Sequence, residues 1–368
     1  MKIIHCADFH LDSKLNANLD REKATRRRAE LLHTFVRMVD YAEQNQAEVI
    51  LIAGDLFDTG RISAGAVQTV LQTVSAHPEI RFYYLSGNHD REGFPAEEIL
   101  PDNLKCFDRS WKSYEEAEGR ICISGMELNR DNARTAALSL VLNAEKINIV
   151  MLHGQETESV GPDKAEQIYL KDFRGQGIDY LALGHIHSFR KERLDARGYW
   201  CYPGCPEGRG FDECGEHGFV LLDVDETSGA FAVTFVPFAM RKVYCVETDV
   251  TDCETSVEMT YRVRAALEAA GCEANSMVKL VLTGEVPVDC EKDPAFLLAT
   301  FENDYFFLKV EDETGLAVDY NSFLLDESLK GEYVRQVMAD ASLTEEEKPI
   351  VIRLGLQALA GEEASLAL

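Results

Sequence analysis

Near-continuous apolar runs at 2–7, 48–53, 80–86, 120–124, 147–152 and 178–183 punctuate the first 240 residues, with helical stretches between them. Such runs predict strands buried on both faces within an α/β fold, since strict alternation would leave one face to water. Between the first two runs, Leu32, Phe35, Val36 and Val39 recur at helical spacing and predict a long amphipathic helix over 21–46. A second helix is predicted over 64–76. From 199 to 237 the pattern changes to short strands with glycine-rich turns, ending in runs at 219–224 and 231–238. That change predicts a second sheet packed on the first.

Beyond residue 240 the pattern predicts a strand over 243–250, a helix over 256–270 and a strand over 277–283. A helix over 294–301 and a strand over 305–311 follow, which makes a β-α-β-α-β series. Two helices come last, over 329–339 and 344–360. The second opens on Thr344 and three glutamates, as a helix N-terminus favours. The expected organisation is a main domain over 1–240, a small α/β cap over 241–320 and a helical segment over 321–368.

Composition changes this picture in three ways. No apolar run approaches the roughly 18 to 20 residues that a membrane-spanning helix needs, and the N-terminus turns polar too soon for a signal peptide. No membrane association and a cytoplasmic location are expected. The ten cysteines are scattered, apart from Cys201, Cys205 and Cys214; without a CxxC pair they read as reduced thiols rather than a zinc site. The net charge of -27 opposes a broad grip on nucleic acid, although much of the acidity lies after residue 240. Basic clusters remain at Arg26-Arg27-Arg28, around Lys105, Arg109 and Lys112, and at Arg190-Lys191-Glu192-Arg193 with Arg197. They read as solvated helix or loop faces, with phosphate contact as the alternative.

Five short motifs stand where the predicted strands end: Asp8-Phe9-His10, Gly54-Asp55-Leu56-Phe57-Asp58, Gly87-Asn88-His89-Asp90, His153-Gly154 and Gly184-His185-Ile186-His187. Strand ends on one edge of an α/β sheet converge on a shared crevice. Residues two apart on an extended segment face the same side, so Asp8 with His10, and His185 with His187, can each address one centre. Carboxylates and neutral imidazoles suit borderline cations such as manganese, iron or zinc. A carboxylate such as Asp55 has two oxygens and can bridge two ions, and two close ions can activate water and clamp a phosphoryl group. Any one of these motifs alone would read as a turn or a satisfied histidine. Their ordered combination at strand ends is what points to a metal centre.

Together the motifs resemble the calcineurin-like metallophosphoesterase superfamily, over residues 8–187. Ala7-Asp8-Phe9-His10-Leu11-Asp12-Ser13 and Tyr202-Pro203-Gly204-Cys205-Pro206-Glu207-Gly208-Arg209 further resemble DNA repair exonucleases of the SbcD and YhaO-like type. The resemblance implies a four-layer αββα sandwich with two divalent metal ions, manganese first, iron or zinc as alternatives. It implies Asp8, His10, Asp55 and His187 around one ion, and Asp55, Asn88, His153 and His185 around the other. His89 would stabilise or protonate the leaving oxygen, with Asp58 orienting its ring. DNA and an SMC-like ATPase subunit are the implied partners, and a homodimer stays open. Asp12 departs from the pattern, standing where such nucleases often carry glycine.

Three functions compete on these grounds. The first is a DNA exonuclease or endonuclease acting with an ATPase. The second is a phosphatase or cyclic-nucleotide phosphodiesterase on the same scaffold, which the acidity favours. The third is a non-catalytic interaction module, which a complete ligand set opposes.

Overall fold

The apolar runs form strands, and the strands sort into two sheets. A computed structural model describes residues 1–15, 19–58, 62–90, 99–157, 167–287, 290–317, 323, 325–345 and 347–360. In the first sheet β1 (Lys2–Cys6), β2 (Ala47–Ala53), β3 (Arg81–Leu85) and β4 (Leu104–Cys106) run parallel. The second sheet takes β5 (Lys112–Glu116), β6 (Ile121–Gly125) and β7 (Ile147–His153). A short pair, β8 (Gln155–Thr157) and β9 (Gln167–Tyr169), precedes its remaining members: β10 (Tyr180–Gly184), β11 (Arg190–Arg193) and β12 (Tyr199–Tyr202). Its order is β11-β12-β10-β7-β6-β5.

The expectation that 199–237 builds the second sheet is corrected here. β13 (Gly218–Val224) pairs antiparallel with β1, and β14 (Phe231–Pro237) with β13, so both extend the first sheet. β12 joins the second sheet beside β10. The pattern along a strand reports what its faces meet, not which strand lies beside it.

Alternate side chains of the same strands build different layers of core. Ile3 of β1 and Val49 and Leu51 of β2 meet Ile123, Ile149 and Tyr180 of the second sheet, filling the space between the sheets. Ile4, Ile50 and Ile52 point the other way, against α1 (Arg21–Gln44) and α2 (Ala64–Ala76). The second sheet's outer face packs on α3 (Ala136–Ser139) and α4 (Leu170–Phe173). The result is a four-layer αββα sandwich. In α1 the buried face is Leu31, Phe35, Met38 and Ala42, rotated from the expected one, so Leu32 and Val36 are only half-buried.

The chain divides into two compact units, Met1–Val243 and Tyr244–Leu368. The second begins within β15 (Val243–Asp249) and continues through α5 (Ser256–Ala269), β16 (Met277–Thr283), β17 (Glu285–Pro287), α6 (Pro294–Phe301), β18 (Phe307–Asp312) and β19 (Gly315–Ala317). β15, β16 and β18 form a sheet whose core includes Met259, Leu280, Leu297 and Phe301. The last helices, α7 (Leu329–Ala339) and α8 (Glu347–Ala360), share a separate small core with Leu316 and Phe323. Among the described residues no helix is long and apolar enough to cross a membrane.

Candidate metal centre

The five motifs meet at one place, and they come from both sheets rather than from one edge of a single sheet. Asp8 and His10 follow β1, Asp55 follows β2, and Asn88 and His89 follow β3. His153 ends β7, while His185 and His187 follow β10. Backbone hydrogen bonds stitch the first two loops together: Asp8 N–H to the Gly54 carbonyl and His10 N–H to the Asp55 carbonyl, both 3.0 Å. The Asp8 carboxylate then accepts the His185 N–H at 2.9 Å and so joins the first sheet's loops to the second's.

This convergence strains the backbone. Asp8, His10, Asp55 and His185 all have positive φ, at 55°, 46°, 50° and 107°. Non-glycine residues adopt such angles at an energetic cost that surrounding contacts must sustain. Gly87 answers a steric demand instead, because a Cβ there would lie 2.1 Å from the Asp55 carboxylate.

Two groups of side chains result, each with its ligating atoms within 4.8 Å of one another: Asp8, His10 and His187, and Asp55, His153 and His185. The Asp55 carboxylate lies between them, 3.8 Å from His10 Nε2 and 3.4 Å from His153 Nε2. Asn88 Oδ1 is 3.1 Å from His153 Nε2 and 3.3 Å from His185 Nδ1. All seven expected ligands are thus brought together.

Hydrogen bonds at the far nitrogens show what this cluster can hold. His153 Nδ1 lies 2.8 Å from the Ala53 carbonyl, which can only accept, so Nδ1 carries the proton. Its Nε2 is thereby aimed at the oxygens of Asp55 and Asn88, and offers them a proton or, once that proton is lost, offers a lone pair to a cation. His10 Nδ1 donates to Asp58 at 3.0 Å and His187 Nδ1 to Glu213 at 2.6 Å, yet their Nε2 atoms face each other at 3.2 Å. With both of those rings neutral, electron pairs meet electron pairs between them, and a cation or an extra proton relieves that. Nitrogen and oxygen donors in this arrangement fit divalent transition metals.

Protonation differs among these rings. Burial pushes His10 and His185 down to about 4, so both are neutral and ready to ligate near neutrality. Burial likewise raises Asp8 to about 6. Burial works against a charge on His153, but the adjacent Asp55 and Asp8 outweigh it and raise His153 to about 9. The Asp55 carboxyl is itself held low despite its burial, chiefly by His153.

His89 lies to one side and is exposed, with its N–H on Asp55 at 2.9 Å and its ring edge-on to His10 at 4.9 Å. The Asp58 carboxylate is nearer His10, at 3.0 Å, than His89, at 3.5 Å. The closer contact to the His89 ring is the Asp58 carbonyl, at 3.1 Å.

Sequence reasoning missed three supporting residues. Asp90 accepts from Gly87 N–H at 2.7 Å, Leu56 N–H at 2.7 Å and the Tyr84 hydroxyl at 2.8 Å, which fixes the second motif against the third. Glu213 and Arg209 flank His187. Arg209 lies in a quoted motif but without a role, and nothing in the pattern singles out Glu213. Arg27, expected on a solvated face, is buried: it pairs with Glu30 and Glu207 and donates to the Gly208 carbonyl at 2.8 Å. Asp12 has φ +65°, a conformation that favours glycine, and its carboxylate accepts Ser63 N–H at 2.6 Å. None of the ten cysteines is joined in a disulfide. Among the described residues only Cys205 joins a possible metal-holding group, with His187 and Glu213.

Known proteins carry related sequences. A metallophosphoesterase from Bacillus subtilis, YhaO, is 28% identical over 300 residues, covering 78% of this chain and 72% of its own length. The DNA double-strand break repair protein Mre11 of Sulfolobus acidocaldarius is 24% identical over 383 residues, covering 96% of this chain and 94% of its own. SbcD, a component of the nuclease SbcCD of Staphylococcus epidermidis, is 25% identical over 299 residues, covering 68% and 74%. The calcineurin-like phosphoesterase family matches residues 1–189, more than half of the sequence, and the chain belongs to that family.

Proposed function

We propose that the chain is a two-metal nuclease that hydrolyses phosphodiester bonds of DNA. The observation that carries the metal part is the convergence of imidazole nitrogens with carboxylate and amide oxygens from both sheets. Asp8, His10, Asp55 and His187 would hold one ion, and Asp55, Asn88, His153 and His185 the other, with manganese first and iron or zinc as alternatives. Two such ions supply a lowered pKa for attacking water and neutralise charge on the phosphoryl oxygens. The chain's own residues do the rest. Asp55 and Asn88 fix the two halves of the site against each other, and the Asp58 carbonyl turns the exposed His89 ring toward the open side. An imidazole there can give a proton to the departing oxygen.

The choice of DNA rests on the relatives, two of which are named for double-strand break repair and for a nuclease. Following His187 in the chain, the exposed edge strand β11 supplies Arg190, Lys191 and Arg193, the last lying 4.2 Å over the Tyr199 ring. A net charge of -27 nevertheless opposes a broad grip on phosphates. A partner that holds DNA answers that need. Leu329, Met338, Ile350 and Leu359 leave exposed apolar positions on α7 and α8, suited to docking an SMC-like ATPase subunit.

The acidity also favours a second reading, a phosphatase or cyclic-nucleotide phosphodiesterase on the same site. One experiment separates the two: incubation with manganese and labelled single- or double-stranded DNA, a nucleotide monoester or a cyclic nucleotide. The nuclease reading expects DNA cleavage that chelation abolishes. Turnover of the small substrates alone would overturn it in favour of the second.

A further inference from the structure

Arg209 occupies an unusual position among the residues around the candidate metal centre. Its guanidinium reaches Asp58 Oδ1 at 3.4 Å on one side and Glu213 Oε1 at 3.1 Å on the other. Each of these carboxylates accepts the Nδ1 proton of one imidazole: Asp58 from His10 at 3.0 Å, Glu213 from His187 at 2.6 Å. The Nε2 atoms of the same two rings face each other at 3.2 Å. A closed circuit results, from His10 through Asp58, Arg209 and Glu213 to His187 and back.

The loop that carries Arg209 is itself held firmly. Cys205 N–H donates to the His187 carbonyl at 3.0 Å, so the loop grips the backbone of His187 as well as its ring. The second Glu213 oxygen accepts Arg209 N–H at 2.7 Å, which leaves that carboxylate little freedom to turn. Glu207 anchors the loop on α1 through the Thr34 hydroxyl, at 2.7 Å, and Arg27. Among the described residues the Arg209 Nε hydrogen has no acceptor, so the guanidinium is held through its two terminal nitrogens.

We propose that Arg209 and Glu213 are positioning residues that, with Asp58, lock the ring orientation and tautomer of His10 and His187 and so set the affinity of one of the two metal positions. The inference rests on the two-metal reading above. The reason is geometric and electronic. An imidazole free to flip presents a protonated nitrogen to the cation part of the time, whereas one bonded at Nδ1 to a fixed carboxylate always presents Nε2. The carboxylate also makes that nitrogen a better donor. His153 and His185 lie outside the circuit, since His153 is fixed by the Ala53 carbonyl instead. The position they serve is independent of Arg209 and Glu213.

The test is a manganese titration of the purified full chain, wild type against Glu213→Gln and Arg209→Lys. Glu213→Gln keeps the shape and loses the charge; Arg209→Lys keeps the charge and loses the planar fork. The expected result is a loss of affinity of about 10- to 100-fold for one ion, with the other unchanged. Proton NMR of the zinc-loaded chain gives a second readout. The His187 Nδ1 proton should resonate far downfield in the wild type and move upfield in Glu213→Gln, while the His153 Nδ1 proton stays in place. Wild-type affinity for both ions in both variants would overturn the proposal. Equal weakening of both ions with a lower melting temperature of the metal-free chain would overturn it as well, making the circuit a fold support. If Glu213→Gln does not fold, Arg209→Lys alone decides by the same criteria. A wild-type chain that takes up fewer than two ions would sink this inference and the two-metal reading together. Absence of DNA cleavage would leave both standing.

Discussion

His153 Nδ1 donates to the Ala53 carbonyl at 2.8 Å, and that one bond aims its Nε2 at the Asp55 carboxylate 3.4 Å away. Burial alone would keep such a ring neutral, but Asp55 and Asp8 raise it to about 9. In the metal-free chain it therefore carries a proton at neutral pH, and a cation entering there must displace it. Manganese binding at pH 7.5 should release about one proton from this group. Calorimetric titration in buffers of different ionisation enthalpy measures that release, and apparent affinity should weaken as pH falls below 9. A binding enthalpy independent of the buffer would contradict the assignment.

The same groups give the metal-free chain a stability optimum. His153 and His187 have raised pKa values, opposed by burial but driven by neighbouring carboxylates. Their contribution is complete below the unfolded histidine value of about 6.5 and is lost as pH rises through about 9 for His153. His5, His10 and His185 are pushed down by burial, to about 3, 4 and 4. Their contribution is complete above about 6.5 and fades as pH falls through the window down to those values. Asp8, raised to about 6 by burial, partly offsets the loss on the acid side. Melting temperature after chelation should peak near pH 6 to 7, about where the two sets cross. With manganese present the optimum should move to higher pH, because the ion replaces the proton on His153.

How much of this was legible in the sequence depends on what each feature rests upon. Buried strands such as 147–152 and 277–283 announce themselves, because both faces must be apolar whatever they pair with. The exposed edge strand β11 does not: Arg190-Lys191-Glu192-Arg193 has no apolar face, and its strand character comes only from pairing with β12. The metal-site side chains stood out because histidines and carboxylates gathered at strand ends. Their partners did not, since Glu213 lies 26 residues from His187 in sequence and becomes relevant only once the loop folds back. Arg27 misled for a related reason. Three consecutive arginines look solvated, but on a helix they point in different directions, and Arg27 turns inward to Glu207.

His89 follows Asn88 but joins neither of the two main ligand groups. It belongs instead with His10 and Asp58, at the exposed margin. His89→Ala should keep both ions, as elemental analysis after dialysis against manganese would show. Its rate on a model phosphodiester should drop on the order of 10² or more, the usual size of a general-acid contribution. Loss of an ion together with the rate would assign His89 to the metal site.

The last prediction concerns the buried ion network beneath the Arg209 loop. Arg27 has 1% of its side chain exposed, as does Glu207, to which it donates at 3.2 Å. Glu30 sits beside them, pairing with Arg27 at 2.9 Å and with Arg241 at 2.5 Å. Removing one member of a buried pair leaves the other charge without compensation and costs roughly 3 to 5 kcal/mol. Arg27→Met keeps much of the apolar bulk and should lower unfolding stability by about that amount, read as a lower urea midpoint at unchanged slope. Glu30 keeps Arg241, so the stranded charge is that of Glu207. Adding Glu207→Gln to Arg27→Met removes it and should recover part of the loss, although Gln still answers the Thr34 hydroxyl and the Met240 N–H that Glu207 now accepts. A double variant less stable than Arg27→Met would show that packing of the arginine, rather than its charge, holds this region together.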